Sequence, residues 1–222
     1  AGAFDFPMSV THVSELPKVA QYGRVMTGDV MMRDSFVDQL RSGLRHYLGE
    51  EDSGVGVEEL FARAWTTRRS GSLDAHDVLA RLPCSIYVTT QPHHLLEGAL
   101  EEEGKRPRSE VCRWTDESEA WPLSVFADTT ESGYVPTLEE PLVFHLFGRL
   151  DVPDSLVLTE DDFYDLLVRV TEDRSAVPAC VRRALADSAL LLLGLRLDDQ
   201  EFKILWRALL RQQGAGRLGR YK

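Results

Sequence analysis

Apolar residues recur every three or four positions through the first third of the chain, with polar residues between them. One face carries Leu16, Val19 and Ala20, and another carries Phe36, Val37, Leu40, Leu44 and Tyr47. This spacing is typical of amphipathic helices. It predicts four helices near the N-terminus, over Ser14–Gly23, Asp34–Leu48, Val57–Arg68 and Ser72–Leu82, the last one capped by Ser72 or Asp74.

Short apolar runs alternate with helical patterns in the rest of the chain. Three runs predict strands of one parallel sheet, over Ser85–Thr89, Leu142–Phe147 and Ala189–Leu193, and Ser109–Trp114 predicts a further short strand. The continuous apolar character of the last run is typical of a parallel strand that is covered on both faces. Further helices are predicted over His94–Glu103, Thr159–Val170 and Val177–Ala186, and from Asp198-Asp199 onward.

The alternation of strands and helices predicts an α/β fold with a doubly wound, mostly parallel sheet and helices on both faces. A helical segment precedes this sheet near the N-terminus. We expect one domain over residues 1–222, in which residues 12–70 form a helical connector or cap and residues 72–212 form the sheet and its helices. Thr159 and Asp162 predict a capping box at the start of their helix, with Asp in place of the usual Glu.

Charge and composition narrow the classes of partner. The net charge is −11, which argues against a broad nucleic-acid interface. No apolar run approaches the roughly 20 residues that span a bilayer, so no membrane partner is expected. The cysteines Cys84, Cys112 and Cys180 form no CxxC pair and fit no zinc spacing, and their odd number favours a reducing, cytoplasmic setting. The chain begins at Ala1 rather than Met, so we expect a piece of a larger protein.

One histidine stands where open α/β folds place their chemistry. His145 follows the apolar run Leu142–Phe144 and precedes a turn at Gly148. Ligands of such folds bind at the carboxyl ends of the strands. A core histidine without a functional role is the alternative interpretation. His93 and His94 are adjacent on a predicted helix and point to different sides, so no metal pair is expected there.

Three segments, in the same order, resemble motifs of the bacterial sirtuin-like (Sir2-like) domain family. SIYVTTQPHHLLEGAL at Ser85–Leu100 resembles a strand ending in TTNYD and followed by an LLE-type helix. FHLFG at Phe144–Gly148, followed by LVLTEDDF at Leu156–Phe163, is similar to KLHG and the segment after it. LLLLGLRLDDQEF at Leu190–Phe202 is similar to LLFLGYSLRDWNF. The likeness covers roughly residues 12–211, because residues 14–28 also resemble the connecting helix of such proteins.

The resemblance implies a Rossmann-like fold that binds NAD. Members cleave the bond between nicotinamide and ribose, either to deacylate lysines or to deplete NAD in anti-phage defence. By the same resemblance His145 matches the catalytic histidine, and Gln91 takes the place of the catalytic asparagine. The matched cofactor-binding positions are Thr89, Thr90, Gly148, Gly194 and Arg196. We expect Gln91 and His145 to face one cleft, with Gly194 at its border.

The departures from the family motifs leave the activity open. TTNYD reads TTQPH here, so the amide of Gln91 reaches about 1.5 Å further than an asparagine amide, and His93 replaces the aspartate. The glycine-rich phosphate loop is absent as a complete motif, and Arg196 replaces a small hydroxyl residue. One hypothesis is a weakly active or inactive module for nucleotide binding, scaffolding or oligomerisation, working with other domains or subunits of a defence or signalling protein. The alternative is an active NAD+ hydrolase in anti-phage immunity that uses His145.

Overall fold

The computed structural model describes residues 15–49, 54–69, 74–127, 133–194 and 200–211. Within these ranges the α-helices are α1 (Leu16–Thr27), α2 (Asp29–Leu48), α3 (Val57–Arg69), α4 (Ala75–Arg81), α5 (Leu95–Glu102), α6 (Glu160–Glu172), α7 (Ala179–Asp187) and α8 (Gln200–Arg211). The strands are β1 (Ile86–Thr89), β2 (Arg108–Val111) and β3 (Leu142–His145). None of the described helices is both long enough and apolar enough to cross a membrane.

The three strands form one parallel sheet in the order β1-β3-β2. Leu142 lies opposite Ile86 on one side and opposite Arg108 on the other, so β3 is hydrogen-bonded along both edges. All four residues of β3 are buried, as expected of a central parallel strand. The predicted α/β class, with a Rossmann-like parallel sheet and an N-terminal helical segment, is confirmed.

The prediction of a strand over Ala189–Leu193 is wrong. These residues follow α7 without regular secondary structure, and the side chains of Leu191 and Leu193 are 66% and 55% exposed. The segment is built of alanine and leucine and has no β-branched residue, so its apolar character carries little preference for a strand. The third strand of the described sheet is instead β2, which lies where the sequence predicts a short strand over Ser109–Trp114.

Helices cover both faces of the sheet, as predicted. Leu142 and Phe144 of β3 belong to a core that includes Leu166 of α6, Val181 of α7 and Leu205 of α8. Val143 points to the opposite face and packs in a second core, with Trp65 of α3, Ala80 of α4, Tyr87 of β1 and Leu100 of α5. The alternation along β3 therefore divides the helices into two layers.

The N-terminal helices pack against the segment that follows β3. Met32 of α2 lies in a third core with Leu156 and Leu158. The buried carboxylate of Asp162 in α6 accepts hydrogen bonds from the backbone N–H groups of Leu158 and Thr159, and Thr159 Oγ1 accepts one from Asp162 N. The predicted capping box is therefore confirmed. At the N-terminus of α4, Asp74 is the cap, whereas Ser72 lies outside the described residues.

Two arginines of the N-terminal helices converge on the same carboxylate. Arg33 of α2 donates to Asp162 Oδ1 at 3.1 Å and is itself buried, and Arg24 of α1 donates to the same oxygen at 3.2 Å. Arg33 also donates to the carbonyl oxygen of Leu156 at 2.5 Å. Asp162 thus joins the helical segment to the turn that leads out of the sheet.

We predict that Gly148→Ala destabilises the protein by about 2–4 kcal/mol. Gly148 has φ +84°, and a Cβ there would lie 2.1 Å from the carbonyl oxygen of Ser155. Gly104 is the matched control because it has φ +78° and no atom lies within 4 Å of the place that a Cβ would occupy. Gly104→Ala should therefore cost only about 1–2 kcal/mol. Urea unfolding measures both values, and equal losses would contradict the close approach at Gly148.

We predict that Asp162→Asn costs about 3–5 kcal/mol, because the amide leaves two arginines facing an uncharged group at a buried position. Asp165→Asn, on the exposed face of the same helix, should change stability by less than about 0.5 kcal/mol. Chemical denaturation of both variants checks this prediction. A loss below about 1 kcal/mol for Asp162→Asn would contradict it.

Candidate functional site

The imidazole of His145 is fully buried at the carboxyl end of β3. Its Nδ1 lies 3.0 Å from the backbone carbonyl oxygen of Gln91, in the turn after β1. Its Nε2 lies 2.7 Å from Glu97 Oε1, in the first turn of α5. Both ring nitrogens therefore have oxygen partners within the protein.

Glu97 is a carboxylate held inside the core. Its side chain is only 9% exposed, and Oε1 also accepts a hydrogen bond from Ser109 Oγ at 2.6 Å. Burial alone would raise the pKa of Glu97, but the hydrogen bond and charge of His145 and the Ser109 hydroxyl outweigh it and lower the pKa. Each nitrogen of His145 thus faces an oxygen of the protein, and the contact between Nε2 and Oε1 pairs the imidazole with a buried carboxylate.

His94 extends this pair towards the surface. It is the N-cap residue of α5, and its ring packs edge-to-face on His145 with the centroids 5.8 Å apart. Its Nδ1 lies 3.5 Å from Glu58 Oε2 and its Nε2 lies 3.9 Å from Asp151 Oδ1. Two groups of side chains thus offer ligand atoms within 4.8 Å of one another: His94, Glu97 and His145 in the interior, and Glu58, His94 and Asp151 outside.

The fold brings several of the sequence-predicted residues to this edge of the sheet. Thr89 Oγ1 accepts a hydrogen bond from Gln91 N at 2.9 Å, and Thr90 is half-buried beside them. Gln91 meets His145 through its backbone, while its side chain is exposed. His145 therefore lies beneath the turn after β1, rather than facing an open cleft with Gln91.

The remaining predicted residues have different surroundings. Gly148 is buried, and the backbone of Ser155 occupies the space in front of its α-carbon. Gly194 is exposed at the end of the leucine run, with φ +69°, and no atom of the described residues lies within 4 Å of the place that a Cβ would occupy. Arg196 lies outside the described residues.

The histidine of FHLFG stands two positions further from the glycine than the histidine of KLHG does. In KLHG the histidine directly precedes the glycine, whereas here Phe147 directly precedes Gly148 and His145 comes earlier. The ring of Phe147 packs edge-to-face on Phe163 of α6, with the centroids 6.3 Å apart. An aromatic side chain that packs on α6 thus stands where the motif has its histidine.

Sequence reasoning missed the acidic partners of this site. His94 and Glu97 are three residues apart at a helix start, and residues with this spacing share a helix face. That signal was available in the sequence. Ser109, Glu58 and Asp151 come from β2, α3 and the turn after β3, and only the fold brings them here.

A family model described as the SIR2-like domain matches residues 85–221, which is more than half of the chain. The match begins at the first strand and includes the turn after β1, all of α5, and both ends of β3. No curated protein matches the chain.

We predict that Glu97→Ala destabilises the protein by about 3–5 kcal/mol, because it leaves the buried His145 ring without its charged partner. The matched control is Glu101→Ala, an exposed position one turn further along α5, which should change stability by less than about 0.5 kcal/mol. Denaturant unfolding at neutral pH distinguishes the two. Equal losses of stability in the two variants would contradict a stabilising contact between Glu97 and His145.

Proposed function

The chain belongs to the SIR2-like domain family, and on that premise we propose that it is an NAD-related module that cleaves NAD weakly or not at all. Its role is nucleotide binding, scaffolding or oligomerisation within a larger bacterial defence or signalling protein. The observation that carries this proposal is the burial of His145 together with the engagement of both its ring nitrogens.

A general base must come within hydrogen-bond reach of the proton that it removes. His145 has no exposed surface, and Glu97 and the Gln91 carbonyl occupy its two nitrogens. To reach a ribose hydroxyl, the ring would have to break its contact with Glu97 and leave the buried carboxylate with Ser109 as its one remaining described partner. The cost of such an uncompensated buried charge opposes that movement.

The turn after β1 supports the same proposal. His93, which replaces the family's aspartate, packs its ring on Phe61 at 5.1 Å and near His76 at 5.9 Å. Burial, and to a lesser extent the charge of His76, lower the pKa of His93. An imidazole among aromatic rings supplies no negative charge, whereas an aspartate would bring one beside the nicotinamide ring.

The described residues fit a dinucleotide poorly at the pyrophosphate. Binding a pyrophosphate takes several backbone N–H groups that point at one anion, usually from a glycine-rich turn before a helix. The β1–α5 turn, residues 90–94, contains no glycine, and the backbone of Ser155 covers Gly148. The residues that we propose for contact with NAD are therefore Thr89, Thr90 and Gln91 at the sheet edge, with Gly194 and Arg196 contributing from the segment after α7.

The alternative function is an active NAD+ hydrolase that uses His145. The observation in its favour is the position of this histidine at the carboxyl end of the central strand, in contact with the backbone of Gln91. In this alternative the ring exchanges Glu97 for the substrate when NAD binds. The two functions differ in one measurable quantity, the rate of nicotinamide release.

We predict that the purified 222-residue chain releases nicotinamide from NAD at a rate indistinguishable from that of His145→Gln, because His145 has no access to the ribose. The triple variant Gln91→Asn, His93→Asp and Phe147→His places the family's side chains back in their motif positions. We expect it to raise any residual rate by about 100-fold, the order of effect that placement of a catalytic group has.

Chromatographic separation of nicotinamide from NAD gives these rates, and circular dichroism confirms that each variant is folded. Rapid release by the unaltered chain that His145→Gln abolishes would overturn the proposal and establish the hydrolase. A triple variant that is folded and stays as slow as the unaltered chain would show that more than these three positions was lost.

A further inference from the structure

We propose that His94, Glu97 and His145 form a binding site for a divalent transition-metal ion, and that Zn²⁺ suits their chemistry best. The local sequence pattern argues against a metal pair, because the adjacent His93 and His94 point to different sides. The fold agrees on that divergence, since His93 packs on Phe61 while His94 packs on His145. The partners of His94 are instead Glu97, three positions later in α5, and His145 at the end of β3.

The three ligand atoms form a recognised zinc-binding set. Two imidazole nitrogens and one carboxylate oxygen are the protein ligands of several zinc sites that keep a fourth position open. Here the atoms lie within 4.8 Å of one another. Around a tetrahedral zinc ion, ligand atoms lie roughly 3.4 Å apart, given metal–ligand distances of about 2.1 Å. The 2.7 Å contact between His145 Nε2 and Glu97 Oε1 therefore has to open by less than about 1 Å to admit the ion.

The surrounding hydrogen bonds already orient these side chains. Metal-bound histidines usually donate their other ring N–H to a carbonyl or carboxylate oxygen. His145 Nδ1 has this arrangement with the backbone oxygen of Gln91, which leaves Nε2 to face Glu97. Ser109 Oγ donates to the same carboxylate oxygen, Oε1 of Glu97, and holds the side chain in place. Both inner ligands are therefore fixed before an ion arrives.

A second and independent observation points to a missing ligand. The other carboxylate oxygen of Glu97, Oε2, is buried and has no hydrogen-bond partner among the described residues, although the side chain is more than nine-tenths buried. Buried polar atoms are nearly always satisfied, and a lone carboxylate oxygen is especially costly to leave unpaired. A cation between Glu97, His94 and His145 would satisfy it.

His94 also provides a route to the ion from solvent. Its side chain is 30% exposed, and Glu58 and Asp151 flank it with carboxylates that are 26% and 38% exposed. Arg149 pairs with Asp151, so Glu58 is the carboxylate at this entrance that can attract a cation. The outer group can pass an incoming ion to the inner three ligands, since His94 belongs to both groups.

The decisive experiment is zinc titration of the purified 222-residue chain after treatment with a chelator. Isothermal titration calorimetry should show saturable binding of about one Zn²⁺ per chain, and His94→Ala should weaken it by about 100-fold or more, beyond the loss that removal of an orienting residue causes. His94 is partly exposed, so this variant should fold. His46→Ala, at an exposed position of α2, is the matched control and should bind as the unaltered chain does.

Two further measurements use the same samples. Excess Zn²⁺ should raise the melting temperature of the unaltered chain by about 5–10 °C, through binding to the folded state alone, and should leave that of His94→Ala nearly unchanged. Glu97→Gln should weaken binding as His94→Ala does, and His94→Ala decides the question if Glu97→Gln does not fold. The spectrum of bound Co²⁺ should lack a thiolate charge-transfer band.

Any one of three results would overturn the proposed site. These are the absence of saturable Zn²⁺ binding, equal Zn²⁺ affinity in His94→Ala and His46→Ala, and a thiolate band in the Co²⁺ spectrum from cysteine ligation. These readouts do not involve NAD. The zinc measurements can therefore contradict the metal site while the proposed absence of NAD cleavage holds. Nicotinamide release can likewise contradict that absence while the metal site holds.

Discussion

The buried carboxylate of Asp162 is the contact on which the assembly of this fold depends. One of its oxygens caps α6 and holds the backbone of Leu158, and the other receives Arg33 and Arg24. A charge at 2% exposure is tolerated only when both of its oxygens are satisfied. Because the partners come from α1, α2 and the turn after β3, satisfying this one group fixes the helical segment against the sheet.

The same physical demand operates at the other end of β3. A central parallel strand is covered on both faces, so its last residue is delivered into the interior whether it is polar or not. In this chain that residue is His145. Its ring contacts the Gln91 carbonyl and the Glu97 carboxylate, and the Ser109 hydroxyl donates to that carboxylate. The elements that supply these groups, the turn after β1, α5 and β2, are the immediate neighbours of β3. The position of a histidine in the strand thus determines where acidic and hydroxyl residues are needed.

Local chemistry decides those parts of the fold that could be predicted from the sequence. The capping box at Thr159 and Asp162, the strands at residues 85 and 142, and the amphipathic N-terminal helices depend on neighbours a few positions away, and each is confirmed. The strand over Ala189–Leu193 was wrong because an apolar run is equally compatible with a strand and with an irregular segment. Whether such a run becomes a strand depends on pairing with a neighbouring strand, and the residues of the run do not determine that pairing. Ser109 and Asp151 were missed at the site for the same reason, since their relation to His145 depends on the packing of separate elements.

The departures from the family motifs form a consistent set once they are placed in the structure. Gln91 turns its side chain to solvent, His93 packs among aromatic rings, and Phe147 packs on α6. None of these three side chains shares a hydrogen bond with His145; the carbonyl oxygen of Gln91 makes that contact instead. Over the same stretch His94, Glu97 and His145 gather polar atoms one layer deeper, beneath the turn after β1. In this buried histidine–glutamate pair, Oε2 of Glu97 has no hydrogen-bond partner among the described residues, an energetic cost that a bound cation would offset.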